Sequence, residues 1–373
     1  MKEINTFISD SLQKRISDNS YRTLKPENSL IDFCSNDYLG FSRSEELKIL
    51  FQKELQNHPK YHLGSGGSRL LAGNHSFTEN LEHQIAIFHD SESALIYNSG
   101  FDANIGLFSS LPQRGDTIIS DEFIHASIID GIRLSHASRF VFRHNDLINL
   151  EQKLKLAKGR IYIIVESVYS MDGDEAPLQE IIILADKYNA ALIVDEAHAV
   201  GIFGASGKGI VYDLGLSTQV FARIITFGKA LGTHGAAVLG SSQLRSYLIN
   251  FSRSFIYTTA APFLNHLAIK CAYTLLKSKD HQSEIRERID YFTENISPGL
   301  KLLQSRSAIQ IIVIPGNDKA REAAQLLQKS GFDIRAILSP SVAEGSERLR
   351  ICLHNHNSTN EIKNLCELLN RVV

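Results

Sequence analysis

Long apolar runs are missing from this chain. None approaches the ~18 residues that a membrane-spanning helix needs, and Met1-Lys2-Glu3-Ile4-Asn5 leads into a charged amphipathic segment rather than the apolar centre of an export signal. The expectation is a cytoplasmic protein with no membrane partner. A surplus of either charge is also missing: 39 Lys and Arg nearly balance 41 Asp and Glu, for a net charge of −2. Such a balance gives no global attraction for nucleic acid or anionic membrane, so an anionic ligand has to be held by local groups. Cysteine is scarce. Cys34, Cys271, Cys352 and Cys366 form no C-x-x-C pair, which indicates neither a zinc site nor a disulfide framework and fits a reducing compartment. Nucleotide loops are absent too. In Gly64-Ser65-Gly66-Gly67-Ser68-Arg69, an arginine stands where G-x-G-x-x-G needs its last glycine, and the Gly-Lys pairs at 207–208 and 228–229 are followed by Gly209 and Ala230. Asp195-Glu196-Ala197-His198, a tetrapeptide that also serves some helicases as a magnesium box, therefore lacks its partner motif.

What is present is the pattern of a soluble α/β protein. A length of 373 residues exceeds what one core usually serves and predicts two unequal domains. Residues 3–17 place Ile4, Phe7, Ile8 and Leu12 at helical spacing, a helix expected to pack on a neighbouring domain or subunit. Strand patterns follow at 30–34, 93–97, 117–119, 140–142, 161–165, 191–194 and 224–225. Helical patterns fall at 45–55, 76–88, 103–107, 124–136, 147–157 and 179–189. Apolar strands separated by helices mean a mostly parallel sheet covered on both faces. Beyond residue 240 come helical patterns at 261–276 and 283–305. A second β/α set then runs 309–314, 318–329, 333–338, 348–353 and 358–371, a smaller α/β domain completed by the N-terminal segment. The division expected is 1–40, 41–280 and 281–373. There is no internal repeat and no low-complexity stretch.

Ligands of such sheets sit at the carboxyl ends of the strands, and here those ends are polar: Ser99, Glu166 to Ser170, Asp195, His198, Thr226 and Lys229. Lys229 follows the apolar pair Ile224-Ile225. Partial burial lowers a lysine pKa from about 10.4, so that neutral amine becomes available for a Schiff base with an aldehyde cofactor. A pyridine aldehyde works as an electron sink only while its ring nitrogen stays protonated, and Asp195 is placed to keep it so. His198 and Ser170 are candidates to hydrogen-bond the phenolate oxygen. Ser99-Gly100-Phe101 opens a helix and offers free N–H groups to a phosphate, aided by Thr226. His125 is the candidate ring to cover the pyridine face. Each of these residues also has an ordinary structural reading. Their succession along one sheet favours the catalytic one.

Five segments together resemble the α-oxoamine synthases, pyridoxal-phosphate enzymes of the aspartate-aminotransferase fold type I. They are Ser35-Asn36-Asp37-Tyr38-Leu39-Gly40, Gly64 to Arg69, Ser170-Met171-Asp172-Gly173-Asp174, Asp195 to His198 and Thr226-Phe227-Gly228-Lys229. The resemblance implies a large domain with a mostly parallel seven-stranded sheet and a smaller C-terminal α/β domain. It also implies pyridoxal 5'-phosphate as cofactor and a homodimer with shared active sites. By the same resemblance, Asn36 and Arg350 contact the amino-acid carboxylate. Thr258 or Thr259 reaches the phosphate bound to the other subunit, and Arg15 and Arg22 border the acyl-thioester entrance. Members share the amino-acid half of the reaction and differ in acyl donor. Gly64 to Arg69 is similar to the biotin-pathway branch, which joins L-alanine to a pimeloyl thioester. Phe101-Asp102-Ala103-Asn104 is as similar to the acetyltransferase branch, and Glu196 and Thr233-His234 depart from the biotin pattern. Aminotransferases and non-catalytic cofactor-binding regulators share the fold and remain alternatives.

Overall fold

The computed structural model describes every residue except Asn19, Lys25, Glu27 and Val373. Its chain separates into two compact units, Met1–Leu30 and Ile31–Val373. The first holds the expected helix, Lys2–Ser17, on which Ile4, Phe7, Ile8 and Leu12 are all exposed.

In the second unit the strands are β1 Ile31–Asp32, β2 Ser93–Tyr97, β3 Thr117–Asp121, β4 Ser138–Phe142, β5 Ile161–Glu166, β6 Ala190–Asp195, β7 Ala222–Thr226, β8 Ala236–Gly240, β9 Ile309–Val313, β10 Phe332–Asp333, β11 Arg335–Ile337 and β12 Arg348–Cys352. Seven of them make one sheet in the order β2-β8-β7-β6-β5-β3-β4. β8 runs antiparallel to both β2 and β7, and the other pairs are parallel. The central strands are apolar on both faces because helices cover both: Ile163, Ile164, Ile193, Val194, Ile224 and Ile225 are fully buried. The fold is that of the type I pyridoxal-phosphate transferases.

β8 is a strand that the sequence pattern does not announce. Ala236-Ala237-Val238-Leu239-Gly240 has one β-branched residue, and only its pairing with β2 and β7 makes it a strand. Helix Gly100–Ser110 lies against helix Ala126–Leu134, and a Cβ at Gly131 would stand 2.9 Å from the Asn104 carbonyl oxygen. This close approach carries the residues at the front of both helices to the same sheet edge.

The expected helix over 283–305 ends ten residues early, at His281–Asn295, because Pro298 and Gly299 cannot continue it. The expected strand over 333–338 is split. Buried Ile334 marks the point where the chain leaves its parallel pairing with β1, as β10, and joins β12 as β11. β11, β12 and β9 form an antiparallel sheet, backed by helices Asn317–Lys329 and Thr359–Val372. Among the described residues, no helix is long and apolar enough to cross a membrane.

Candidate active site

β7 delivers Thr226 to the carboxyl edge of the sheet, and the turn beyond it presents Lys229. The turn is fixed by backbone bonds from Phe227 N–H to the Gly235 carbonyl (2.9 Å) and from Thr233 N–H to the Phe227 carbonyl (2.8 Å). Lys229 opens into a cavity of about 270 Å³ whose walls include Asn36, Ser99, Asn104, His125, Asp195 and His198. Burial is the main reason that its pKa falls to about 8. Arg350 adds to the fall, and the carboxylates of Asp195 and Glu166 oppose it. Its Nζ lies 2.9 Å from Nε2 of His198. His198 is itself pushed well below the ordinary imidazole pKa, first by burial and then by the neighbouring Lys229 and Arg350 cations, so its ring is neutral at pH 7.

Asp195 and Glu166 are register partners at the ends of β6 and β5, which sets two carboxylates side by side. Asp195 is held as an acceptor. Its Oδ1 takes the Ala197 N–H (2.9 Å), and its Oδ2 takes Nδ2 of Asn104 (3.0 Å). Glu166 is 3% exposed, and its Oε1 has no hydrogen-bond partner. Burial, with the Asp195 charge added, raises its pKa to about 8 against the pull of Lys229.

Asn104 also reaches Ser127 Oγ (3.0 Å), and Ser127 in turn holds Nδ1 of His125 through its Oγ (2.7 Å) and its N–H (3.2 Å). Because that N–H can only donate, Nδ1 of His125 accepts. The proton of the neutral ring then sits on Nε2, away from this contact. His125 reaches solvent at one side, but its ring is partly desolvated where it lines the cavity, and this desolvation, followed by Lys229, lowers its pKa despite Asp195.

The front of helix Gly100–Ser110 also lines the cavity. Ser99 caps it, accepting from Asp102 N–H at 3.0 Å, which leaves the first-turn N–H groups of Gly100 and Phe101 without helical acceptors. A Cβ at Gly100 would fall 2.8 Å from Thr226 Cγ2. Glycine here keeps open a cradle between a helix dipole and the Thr226 hydroxyl, suited to a phosphate.

Asn36 lines the cavity from the Ser35 to Gly40 turn, its Oδ1 accepting from Arg350 Nη2 (3.0 Å) and Tyr38 Oη (3.1 Å). Arg350, on β12, also donates its Nε to the Ser170 carbonyl (2.9 Å). Thus nine of the residues singled out in the sequence share the cavity: Asn36, Ser99, Gly100, Phe101, His125, Asp195, His198, Thr226 and Lys229. Arg350 stands behind Asn36, and Ser170 behind Arg350. Thr258 and Thr259 lie apart from it, bonded to Asn98 Nδ2 through the Thr258 hydroxyl and the Thr259 carbonyl. Arg22 belongs to the other compact unit, where it is exposed. Tyr38, Asn104, Ser127 and Glu166 complete the set. Only Glu166 carries a strand-end signal, whereas Asn104 and Ser127 become visible through the helix contact at Gly131.

Glu196 faces away from the cavity, in a buried ion pair with Arg223 that also receives the Val211 N–H. The Asp-Glu-Ala-His tetrapeptide is therefore half site and half core. Arg69 is likewise spent on structure, paired with buried Glu82. Asp32, His354 and His356 stand close enough together to share a metal ion. However, Arg43 occupies Asp32 Oδ2 at 2.6 Å, and the two ring nitrogens of His354 lie 3.0 Å from Asn357 Oδ1 and from the Ser35 carbonyl oxygen.

Residues 28–369 match the family described as aminotransferase class I and II. The chain belongs to that family. It is 42% identical to the 8-amino-7-oxononanoate synthase of Emericella nidulans over 93% of this chain and 90% of that protein. Among solved structures, 8-amino-7-oxononanoate synthase from Francisella tularensis superposes with a TM-score of 0.78 at 28% identity, covering 92% of this chain and 98% of that one. Serine palmitoyltransferase of Sphingomonas wittichii does so with a TM-score of 0.85 at 27% identity, covering 92% and 87%. Within the aminotransferase class I and II family the chain is an α-oxoamine synthase-type acyltransferase that depends on pyridoxal phosphate. The cavity fits that cofactor on its own terms, with an anion cradle at Gly100, a carboxylate acceptor at Asp195 and an amine of lowered pKa at Lys229.

Proposed function

We propose that the chain condenses L-alanine with a pimeloyl thioester, on coenzyme A or a carrier protein, to give 8-amino-7-oxononanoate, carbon dioxide and free thiol, a step of biotin synthesis. The observation that carries this reading is the 42% identity to the Emericella nidulans enzyme along nearly the whole chain. It is supported by the meeting of Lys229, Asp195, His198 and His125 in one cavity.

In this reading, pyridoxal phosphate supplies an aldehyde for the Lys229 amine and a ring that withdraws electrons from the amino-acid Cα. Ser99, Gly100, Phe101 and Thr226 would hold its phosphate, and Asp195, fixed by Asn104, would keep the ring nitrogen protonated. His198 and Ser170 serve the phenolate oxygen. His198 lines the cavity and can donate to that oxygen once its Nε2 carries the ring proton, whereas Ser170 stands behind Arg350, its carbonyl accepting from Arg350 Nε. Lys229, as a neutral amine, would take the α-proton of alanine. Arg350 and Asn36 bind the alanine carboxylate by charge-assisted hydrogen bonds. His125, on the cavity wall, would cover the ring, and its Nε2–H would polarise the thioester carbonyl. Arg22 is assigned to the acyl-thioester substrate. The working form is a cytoplasmic homodimer in which Thr258 and Thr259 reach the phosphate bound by the partner, which accounts for their place outside the chain's own cavity. Pairing glycine, alanine and serine with acetyl, pimeloyl and palmitoyl thioesters and measuring free thiol tests the reading. Alanine with pimeloyl thioester is expected to dominate. Serine with palmitoyl thioester would instead favour the second reading, a serine palmitoyltransferase, to which the fold likeness points.

A further inference from the structure

Tyr38 is 1% exposed, and its hydroxyl sits between two groups of the cavity: Asn36 Oδ1 at 3.1 Å and His198 Nδ1 at 2.7 Å. The donor and acceptor chemistry of these groups fixes the direction of each bond. Arg350 has no acceptor, so the Asn36 atom 3.0 Å from its Nη2 is the carbonyl oxygen. An oxygen there can only accept from Tyr38, whose single O–H is thereby used. His198 Nδ1 must then donate to the Tyr38 oxygen. In a neutral imidazole the other nitrogen, Nε2, carries a bare lone pair, and it is this atom that faces Lys229 Nζ at 2.9 Å.

We propose that Tyr38 is a positioning residue that fixes His198 as its Nδ1–H tautomer and so ties the protonation state of Lys229 to the Asn36–Arg350 pair. An accepting Nε2 stabilises Lys229 as the ammonium form. If the Tyr38 O–H comes to face Nδ1 instead of Asn36, the Lys229 ammonium passes one proton to Nε2, and the Nδ1 proton passes to the Tyr38 oxygen as that hydroxyl's own proton leaves to solvent. The resulting Nε2–H donates to the lone pair of the neutral amine or to a cofactor oxygen. Whatever occupies Arg350 and Asn36 therefore biases whether Lys229 is held charged or released as a nucleophile. The other groups facing Lys229, namely Asp195, Glu166, Arg350 and His125, set its baseline and are unchanged by the turn. The functional consequence rests on the reading of Lys229 given above; the tautomer does not.

The test uses cofactor-free protein labelled with ¹⁵N-histidine, with His198 assigned by the signals lost in His198→Gln. Long-range ¹H–¹⁵N correlation at pH 7.5 is expected to show the Nδ1–H tautomer for His198. An Nε2–H pattern in the native chain overturns the proposal. In Tyr38→Phe, and independently in Asn36→Ala with Tyr38 kept, His198 is expected to shift to Nε2–H. Retention of Nδ1–H in both variants overturns it, and should Tyr38→Phe fail to fold, Asn36→Ala decides. A role in packing alone would leave the tautomer as it is. The midpoint pH for reductive methylation of Lys229, read by mass spectrometry, is expected to fall by about one unit in Tyr38→Phe; an unchanged or raised midpoint overturns the link to Lys229. If pyridoxal phosphate does not bond to Lys229, the functional reading fails while the tautomer result stands, so the two failures are distinguishable.

Discussion

Glu166 gives the sharpest stability prediction. Its carboxyl is 3% exposed, has one oxygen without a partner and lies beside Asp195 in register. Its pKa is raised from 4.5 to about 8, chiefly by burial and next by the Asp195 charge. The folded chain therefore holds a proton that the unfolded chain has released between those two values. This stabilisation is fully present below pH 4.5 and is lost as pH rises through about 8, at up to about 1.4 kcal/mol per unit. Lys229, with its lowered pKa also about 8, contributes a slope of opposite sign only above that pH. Glu166→Gln keeps the shape of the neutral acid and cannot ionise. Urea denaturation of cofactor-free protein at half-unit steps should show the native chain losing about 2–3 kcal/mol relative to Glu166→Gln between pH 5.5 and 7.5. Contributions from the histidines common to both chains cancel in the difference. Parallel curves across that range would refute the reasoning, because they would mean that Glu166 ionises as freely in the folded state as in the unfolded one.

Three further outcomes are expected. Gly100→Ala puts a methyl group 2.8 Å from Thr226 Cγ2 and should weaken pyridoxal phosphate binding by about tenfold or more, a cost of about 1.4 kcal/mol, in a fluorescence titration; unchanged affinity would remove the phosphate from that turn. Asp195→Asn should retain some cofactor binding yet slow exchange of the alanine α-proton with deuterated solvent by about 100-fold, and unimpaired exchange would contradict the role of the carboxylate. Arg223→Ala strands Glu196 without its buried partner and should cost about 3–5 kcal/mol in denaturant unfolding, whereas a loss below 1 kcal/mol would show that the pair is not needed.

The parts of the fold that could be read in the sequence are those whose side chains carry their own signal. β5, β6 and β7 are apolar runs ending in Glu166, Asp195 and Thr226, so both strand and site edge were visible together. β8 was not, since alanine and glycine become a strand only when β2 and β7 bury them. Two elements ran past their real ends. Helix His281–Asn295 stops short at Pro298-Gly299, and the 333–338 strand divides because its halves pair with different sheets. Within the site, lysine, aspartate and histidines stand out by type, but the groups that orient them do not. Asn104 reads as one more residue in a helix until the contact at Gly131 brings it to Asp195 and Ser127. Tyr38 reads as core until its hydroxyl is seen between Asn36 and His198. Glu196 shows the converse, a charged residue in a site motif whose partner, Arg223, is a strand residue of the core.

Lys229 is the residue proposed to bond the cofactor. That bond is tested most directly by incubating the protein with pyridoxal phosphate, reducing with borohydride, digesting and locating the added mass by tandem mass spectrometry. A phosphopyridoxyl group on Lys229, and no such label in Lys229→Ala, are expected. A label carried by another lysine, or none in the native chain, would contradict the assignment.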